Sequence, residues 1–323
     1  MSQNMGSMGF GTRRWLRRLE VRMLGLALLV FLGLSFASPF FLQANNLLNL
    51  LDQSVVTGIV AAGMTFVILT GGIDLSVGSV LGVTAVIMGL TIRHYGIAAG
   101  VGAALVSGGI AGLFSGVLVA RFGLPSFVVT LGVMAIGRSL AYIFSGQNSI
   151  SDLPASMSDL VYTPILGVPA NVATLIVIYA LSWLYLGFTR GGRTIYAIGS
   201  NREAARIAGL DVLGYSILPY VISGVFSAIA GVLMSAQILS VDPLAGTGLE
   251  LDAIAAVVIG GASLAGGRGS MIGTLIGVLI MVMIRNGLNL LGVSPFWQGS
   301  AIGVIIIAAV LIERLVSART GGT

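Results

Sequence analysis

Long apolar stretches follow one another along almost the whole chain, separated by short clusters of Gly, Pro, Asn and charged residues. A helix needs about 20 apolar residues to cross the hydrocarbon core of a bilayer, and such clusters mark the breaks between helices. The predicted fold class is therefore all-α, a polytopic transmembrane helix bundle. The pattern predicts about ten spans, at 21–37, 47–70, 74–92, 96–120, 125–145, 170–188, 212–238, 248–265, 269–290 and 296–316.

These spans predict one transmembrane domain, 21–316, between a basic N-terminal segment, 1–20, and a short tail, 317–323. The first span has an alternative interpretation, because arginines precede it and Ser35-Phe36-Ala37 resembles a signal-peptide cleavage site. Many further apolar segments follow it, so we favour a first membrane helix with a basic flank.

Two of the predicted spans are interrupted. The stretch 70–76 breaks one apolar run, and Asp74 can cap the helix that follows. Thr247 and Glu250 fit a capping box, but the apolar helix that they open lasts only to about Ile259, roughly 18 Å at 1.5 Å per residue. Irregular backbone at membrane depth survives only when it is buried in protein or lines a wet cavity. The breaks therefore indicate a transport path, and ordinary short turns between helices are the alternative.

Glycines recur at every fourth position in two stretches, at 108, 112 and 116 and again at 269, 273 and 277. Small residues at this spacing let membrane helices approach closely, so both sets predict helix contacts. If the chain is a duplication of two halves with five spans each, the odd number makes the two halves inverted in the membrane.

Composition and charge support a membrane protein. Hydrophobic residues make up 56% and charged residues 8% of the chain, whereas a soluble domain has roughly 25% charged residues. All 16 basic residues are arginines, and the ten-span pattern places all but Arg93, Arg138 and Arg285 on the side of the N-terminus. Arginine marks the cytoplasmic side, so both termini are expected there. The net charge of +5 then needs no nucleic-acid partner.

Residues with catalytic or metal-binding chemistry are scarce. The chain has no cysteine and a single histidine, His94, which we place in a solvated loop, and it lacks hydrolase and metalloprotease motifs. No catalytic residue, metal site or bound cofactor is expected. A phosphate-binding loop needs a lysine, which this chain lacks, so ATP and Mg²⁺ would be bound by a separate ATPase polypeptide.

Polar side chains inside a membrane are costly, so each is a candidate for function. Their amides, hydroxyls and carboxylates would suit a hydroxyl-rich cargo, although each could instead meet water or lipid headgroups. The candidates for the translocation path are Asn46, Asn49, Gln53, Thr70, Asp74, Glu250 and Asp252.

The segment 190–211 is the expected contact with an ATPase. Ser200 and Glu203 fit a capping box for a helix over 201–208, and Gly209 supplies a left-handed stop. So short a helix is marginal without a packed partner. The alternative is a membrane-surface helix with Arg202 and Arg206 on lipid phosphates. The coupling candidates are Arg193, Ser200, Asn201, Glu203, Ala204, Ala205, Arg206 and Gly209.

Four stretches together resemble the ribose-type sugar ABC transporter permeases, and the resemblance covers about 47–315. They are VAAGMTFVILTGGIDLSVGSVLG (60–82), YAIGSNREAARIAGLDV (196–212), the glycine-rich stretch 245–277 and NGLNLLGVS (286–294). The resemblance implies a subunit of the bacterial inner membrane that works with a cytoplasmic ABC ATPase, a periplasmic sugar-binding protein and a second permease copy. It also implies that the family's coupling segment corresponds to 200–209.

The resemblance implies import of a monosaccharide or related polyol by a subunit that is not itself an enzyme. Two alternatives remain. One is an ABC permease for another solute, such as a nucleoside or a branched-chain amino acid. The other is an ion-coupled secondary transporter, which also uses broken helices but would need more buried carboxylates or histidines than this chain has.

Overall fold

The computed structural model describes residues 8–294, 297–304, 307 and 311, with side chains from Glu20 onward. About half of the last predicted span, 296–316, lies outside the described residues, and the tail 317–323 lies wholly outside them. The helices are α1 (Met8–Ala37), α2 (Ala44–Leu69), α3 (Val77–Phe122), α4 (Ser126–Ser145), α5 (Asp159–Tyr162), α6 (Ala170–Phe188), α7 (Arg190–Ser200), α8 (Arg202–Ile207), α9 (Val212–Ile238), α10 (Leu249–Ile259) and α11 (Met271–Leu290).

Seven of the described helices are long and apolar enough to cross a membrane: α1, α2, α3, α4, α6, α9 and α11. The predicted spans match most of these within a few residues, and 170–188 and 212–238 match α6 and α9 in full. The helix α1 begins at Met8, so it includes part of the predicted basic segment 1–20.

The longest helix, α3, is folded back on itself. Its dihedral angles leave the helical region at Gly96 (φ 80°, ψ 174°). A methyl group placed on Gly100 would lie 3.0 Å from the carbonyl oxygen of Met88, twelve residues earlier, whereas twelve residues of straight helix span about 18 Å. The two arms, 77–95 and 97–122, therefore run antiparallel, as the separate predicted spans 74–92 and 96–120 require.

The bundle has two ends. One end carries Arg121, Arg202, the α7–α8 segment and both helix breaks, and we call it the arginine-rich end. The other carries the connection 146–169, and we call it the loop end. There a short antiparallel hairpin pairs β1 (Pro164–Ile165) with β2 (Val168–Pro169).

The loop end also holds an exposed ion pair. The guanidinium of Arg93, at the tip of the α3 hairpin, lies 2.7 Å from the carboxylate of Asp152. Its hydrogen bond lowers the pKa of the Asp152 carboxyl below the usual range. An exposed pair of this kind adds little stability, so it orients the connection 146–169 rather than holding the bundle together.

The core forms around α2. In the most apolar 18-residue stretch of α2, 72% of the residues are buried, whereas only 6% are buried in that of α1. Residues of α9, α10 and α11 complete this core. Apolar side chains on α1, α4 and α6 are largely exposed, which suits helices that face lipid.

The two sets of repeated glycines lie at helix contacts, as predicted. Gly112, on the second arm of α3, packs against the carbonyl of Tyr220 in α9, and Gly277 in α11 packs against the carbonyl of Ala256 in α10. A side chain at either glycine would collide with backbone. The second contact makes α10 and α11 an antiparallel hairpin.

Both helix breaks are built in the same way. At the end of α2, Gly72 N–H donates to Val67 at 3.1 Å, with Gly71 at φ +80°. At the end of α10, Ala262 N–H donates to Val257 at 3.1 Å, with Gly261 at φ +87°. Each is a Schellman motif, which needs a left-handed residue and so favours glycine. The α10 helix ends at Ile259, as predicted.

The predicted caps of α3 and α10 are wrong in detail. Asp74 accepts hydrogen bonds from the N–H and hydroxyl of Ser76, so it closes a turn before α3 instead of capping a helical N–H. Thr247 does not cap α10, because its hydroxyl donates to the Leu244 carbonyl and the N-cap is Gly248 at φ +83°. The left-handed backbone at Gly248 turns the Thr247 side chain away from the helix.

Candidate functional site: a polar cavity and a segment at the helix breaks

A cavity of about 250 Å³ opens among α2, α9, α10 and α11, towards the loop end. Its size is just below the roughly 300–1,000 Å³ of typical small-molecule pockets. Polar groups from all four helices reach it, together with methionine and valine side chains. The polar lining residues are Asp52, Gln53, Thr57, Gln237, Thr247, Asp252 and Arg285.

One wall of the cavity is an ion pair between α10 and α11. The guanidinium of Arg285 lies 2.7 Å from Asp252, whose side chain is 8% exposed, whereas that of Arg285 is 40% exposed. The close contact of Gly277 with Ala256 brings these two helices together, and the pair lies two turns further along. Arg285 therefore neutralises a buried carboxylate and still presents donors to the cavity.

The opposite wall carries a second carboxylate, Asp52 on α2. The amide of Asn171 donates to one carboxylate oxygen at 2.8 Å, and the amide of Gln237 reaches the other at 3.4 Å. Because each amide donates only one of its two hydrogens here, further hydrogen-bonding capacity remains. The cavity thus combines acceptors, donors and an apolar lining, which is the chemistry that a polyhydroxylated solute needs.

Two of the predicted path residues, Gln53 and Asp252, line this cavity. Asn46 does not, because it makes a reciprocal amide pair with Asn286 at 2.8 and 3.1 Å. Asn49 is exposed and lies outside the cavity lining. The spacing of Asn46 and Asn49 in the sequence puts them on the same face of α2 as Asp52. Only part of that face meets α9 and α10.

The remaining predicted path residues are dispersed. Thr70 lines a second cavity at the arginine-rich end. Asp74 is buried, and its carboxylate accepts from Ser76 and, at 2.7 Å, from Ser223 of α9. Glu250 points at Gly78, whose missing side chain makes room for it. Asp74 and Glu250 thus pack within the bundle and do not line the cavity at the loop end.

Arg285 and Arg138 are the charged residues whose partners the sequence did not identify. The sequence placed Arg285 at a span end, yet it lies within α11. Arg138, inside α4, donates to the carbonyls of Pro243 and Ala245 at 2.9 and 3.0 Å. It therefore fixes the loop that leads to Thr247 in the cavity. For Arg138, the available signal in the sequence was an arginine inside a span.

At the arginine-rich end, α7 and α8 form the predicted coupling segment. The cap of α8 is Asn201, whose side chain accepts from Ala204 N–H at 2.9 Å. The predicted capping role of Ser200 is wrong, because Ser200 is the last residue of α7 and the chain becomes extended only at Asn201. The left-handed stop at Gly209 is confirmed, with φ +75°.

The end of α7 lies against both helix breaks. Gly199 packs on the Leu69 carbonyl at the end of α2. That same carbonyl accepts a hydrogen bond from Gly267 N–H, after the α10 break, at 2.9 Å. The hydroxyl of Tyr196 donates to the Gly269 carbonyl at 2.9 Å. A displacement of α7 would therefore act on the ends of α2 and α10 together, and both helices line the cavity.

The solvent-facing side of α8 differs from expectation. Ala205 is buried against the bundle, whereas Ala204 is exposed. Glu203 and Arg206 form an exposed ion pair at 2.7 Å, and Arg193 is exposed on α7. Ile207, which the sequence analysis did not select, is 79% exposed. A large exposed apolar residue between polar neighbours is typical of a contact surface.

The described part of the chain contains no group of three His, Cys, Asp or Glu residues that could hold a metal ion. The cavity at the loop end gathers polar groups from several helices, and the α7–α8 segment lies against both helix breaks.

Comparison with known proteins gives a consistent result. The family model of the permease component of the branched-chain amino acid transport system matches residues 46–310. The chain is 41% identical to the ribose import permease protein RbsC of Escherichia coli K12, over 97% of this chain and 98% of the relative. It is 41% identical to RbsC of Bacillus subtilis over 91% of this chain and 92% of the relative. It is 38% identical to the D-allose transport system permease protein AlsC of E. coli K12 over 90% of each.

Proposed function

Because the chain belongs to the family of branched-chain amino acid transport system permease components, we propose that it is the membrane-spanning permease subunit of a bacterial ABC importer for a monosaccharide. The observation that carries the sugar assignment is the similarity, along nearly the whole chain, to permeases named for ribose and allose. A ribose-like pentose, a hexose or a polyol is the proposed cargo. The protein is a multi-pass membrane protein and not itself an enzyme.

The cavity at the loop end supports a hydroxyl-rich cargo. Asp52 and Asp252 accept hydrogen bonds, while Gln53, Gln237 and Arg285 donate them. A sugar hydroxyl both donates and accepts, so it is matched by neighbouring groups of both kinds. We propose that Gln53, Asp52, Asp252 and Arg285 line the translocation path, and that Asp74, Thr70 and Glu250 keep the broken helices in shape beside it.

The proposed partners follow from the family. A cytoplasmic ATPase would bind ATP and Mg²⁺, dock on α7–α8 and move the ends of α2 and α10. A periplasmic sugar-binding protein would deliver cargo at the loop end. We also propose a second copy of this chain in the complex. The contacts of α7 with both helix breaks support a role of the α7–α8 segment in coupling.

The proposed topology has ten crossings with both termini in the cytoplasm. The two arms of α3 count separately, α10 makes a short crossing, and the helical residues 297–304 begin the last one. The domain division at 21–316 remains our proposal. Five crossings in each half would make the two halves inverted in the membrane.

Uptake by reconstituted complexes tests the function. Vesicles would contain this permease together with its proposed partners, the cytoplasmic ATPase and the periplasmic binding protein, with labelled ribose, allose, fructose and leucine as cargo. We expect ATP-dependent uptake of at least one sugar and none of leucine. Uptake of leucine alone would favour an amino-acid permease, and uptake driven by a proton gradient without ATP would favour a secondary transporter.

The isolated chain is expected to be inert towards ATP, because it lacks the lysine of a phosphate-binding loop. Purified permease in lipid should release no phosphate from ATP until the ATPase subunit is added. The ATPase alone gives the reference rate. Stoichiometric ATP hydrolysis by the permease without its partner would contradict the assignment.

Cysteine labelling tests the topology, and the natural absence of cysteine leaves no background. Ser151 and Ser156 are exposed at the loop end, and Ser200 is exposed at the arginine-rich end. We expect cysteines at 151 and 156 to react in whole cells with an impermeant thiol reagent, and those at 200 and 317 to react only after lysis. Labelling at 317 from outside would mean an odd number of crossings.

A further inference from the structure

A second cavity, of about 420 Å³, lies at the arginine-rich end, away from the first one. It is bounded by the end of α2, the second arm of α3, the start of α4, the start of α8 and the first turns of α9. The lining residues that matter here are Ser126, Arg202, Ser216, Tyr220, Val119 and Leu124. The proposed transport path does not use it.

Two hydroxyls in this cavity make no hydrogen bond within the described part of the chain. Ser216 is 3% exposed and Tyr220 1% exposed, and the oxygen of each is buried without a partner. The Tyr220 hydroxyl lies against Gly72, another residue of the cavity wall. A buried hydroxyl without a partner costs about 1–3 kcal/mol. Two such groups in one cavity indicate that something else satisfies them.

The remaining polar groups of the lining can also donate. Ser126 accepts from Ile73 N–H at 3.1 Å, and its own hydrogen can be donated to a ligand or to the neighbouring Tyr220 hydroxyl. Arg202 reaches only the Ala120 carbonyl, at 3.5 Å, so most of its guanidinium hydrogens are available. Neither Asp nor Glu lines the cavity, and both oxygens of the nearby Asp74 are taken by Ser76 and Ser223.

This set of groups selects a ligand by its charge. One guanidinium and three donating hydroxyls suit a ligand that only accepts hydrogen bonds and carries negative charge. The cavity at the loop end differs, since its two carboxylates suit sugar hydroxyls. We propose that the second cavity binds a phosphate group, either that of an anionic phospholipid or free phosphate.

The surroundings make a lipid a suitable source of that phosphate. Val119 and Leu124 line the cavity, and Phe122 and Phe127 are 64% and 55% exposed beside it. Acyl chains could cover these side chains while the phosphate meets Arg202. Because Arg202 begins α8, the bound phosphate would also fix one end of the proposed coupling segment to the membrane.

The test is thermal unfolding of the full chain in an uncharged detergent, so it is independent of the proposed transport function. The added probes are phosphatidylglycerol, diacylglycerol and inorganic phosphate. We expect phosphatidylglycerol to raise the unfolding temperature and diacylglycerol, which has acyl chains but no phosphate, to leave it unchanged. A rise with inorganic phosphate as well would identify the phosphate alone as sufficient, whereas a rise only with the lipid would show that the acyl chains contribute.

Three variants complete the test. For Arg202→Gln and for Tyr220→Phe, we expect the same stabilisation to require about tenfold more phosphatidylglycerol. Each substitution removes a hydrogen bond to a charged group. Arg206→Gln, one turn away and outside the cavity lining, is the matched control and should respond like the unaltered chain. Without lipid, Tyr220→Phe should be as stable as the parent or more so, since it removes a hydroxyl without a partner.

Either of two results would overturn the proposal. One is an equal stabilisation by phosphatidylglycerol and diacylglycerol, which would leave no role for phosphate. The other is an unchanged response of both Arg202→Gln and Tyr220→Phe. Should Arg202→Gln fail to fold, Tyr220→Phe still decides the matter, because the mutation keeps the ring that packs against the bundle.

Discussion

Replacing Ile207 by glutamate is expected to prevent binding of the ATPase while the permease still accumulates in the membrane. Ile207 is 79% exposed on α8, so the folded chain loses almost no packing. At a partner interface the same side chain would be buried, and burying an isoleucine side chain contributes about 2 kcal/mol. That corresponds to roughly 30-fold weaker binding, and a buried carboxylate would weaken it further.

The measurement is co-purification of the ATPase with the permease, together with sugar-stimulated ATP hydrolysis in vesicles. Leu166→Glu is the matched control, because Leu166 is a fully exposed apolar residue at the loop end. It should bind the ATPase normally. A second variant, Gly209→Val, should also reduce binding, because Gly209 has φ +75°, which a β-branched residue strongly disfavours.

Normal binding in both Ile207→Glu and Gly209→Val would place the docking surface elsewhere. The loops around Arg121 and Arg268 would then be the next candidates. That result would also return α8 to the alternative of a helix lying on the membrane surface.

Replacing Arg285 by methionine is expected to destabilise the protein by about 3 kcal/mol. Methionine keeps an unbranched, apolar stem but is shorter than arginine and uncharged. The nearly buried carboxylate of Asp252 is then left without its cation, and breaking a buried pair from one side is strongly destabilising. The double variant Asp252→Asn with Arg285→Met removes both charges and should recover most of the loss. Sugar uptake should stay low in the double variant, because the cavity has lost two polar groups.

Thermal unfolding in detergent and uptake in vesicles separate these two effects. The control is Arg93→Met, which breaks the exposed pair with Asp152 and should cost less than about 1 kcal/mol. Normal uptake by the double variant would remove the pair from the translocation path. A single Arg285→Met variant as stable as the Arg93→Met control would contradict the proposed burial of Asp252.

Local features of the sequence predicted the helices well. The length of an apolar run reports the thickness of hydrocarbon that it must cross, so α2, α4, α6, α9 and α11 match their predicted spans closely. The glycines at positions 71 and 261 marked the two breaks, because left-handed backbone favours glycine. The stop at Gly209 follows from the same rule.

Capping was harder to predict, because several polar residues stand at each helix start. Ser200 and Asn201 are adjacent and both can cap, and the backbone conformation selected Asn201. Thr247 was predicted to cap α10, but the N-cap is Gly248, whose backbone is left-handed. Only the dihedral angles of the folded chain separate such neighbours.

The sequence by itself determined the helices, their breaks and the class of protein, since all three depend on composition and on residues close together in the chain. Only the tertiary structure decided which side chains meet. Asp252 faces Arg285 because Gly277 lets α10 and α11 touch, and α7 meets both breaks because Gly199 fits against Leu69. Likewise, the burial of Ala205 and the exposure of Ile207 depend on how α8 packs on the bundle. Contacts between residues far apart in sequence arise from packing, which local periodicity does not encode.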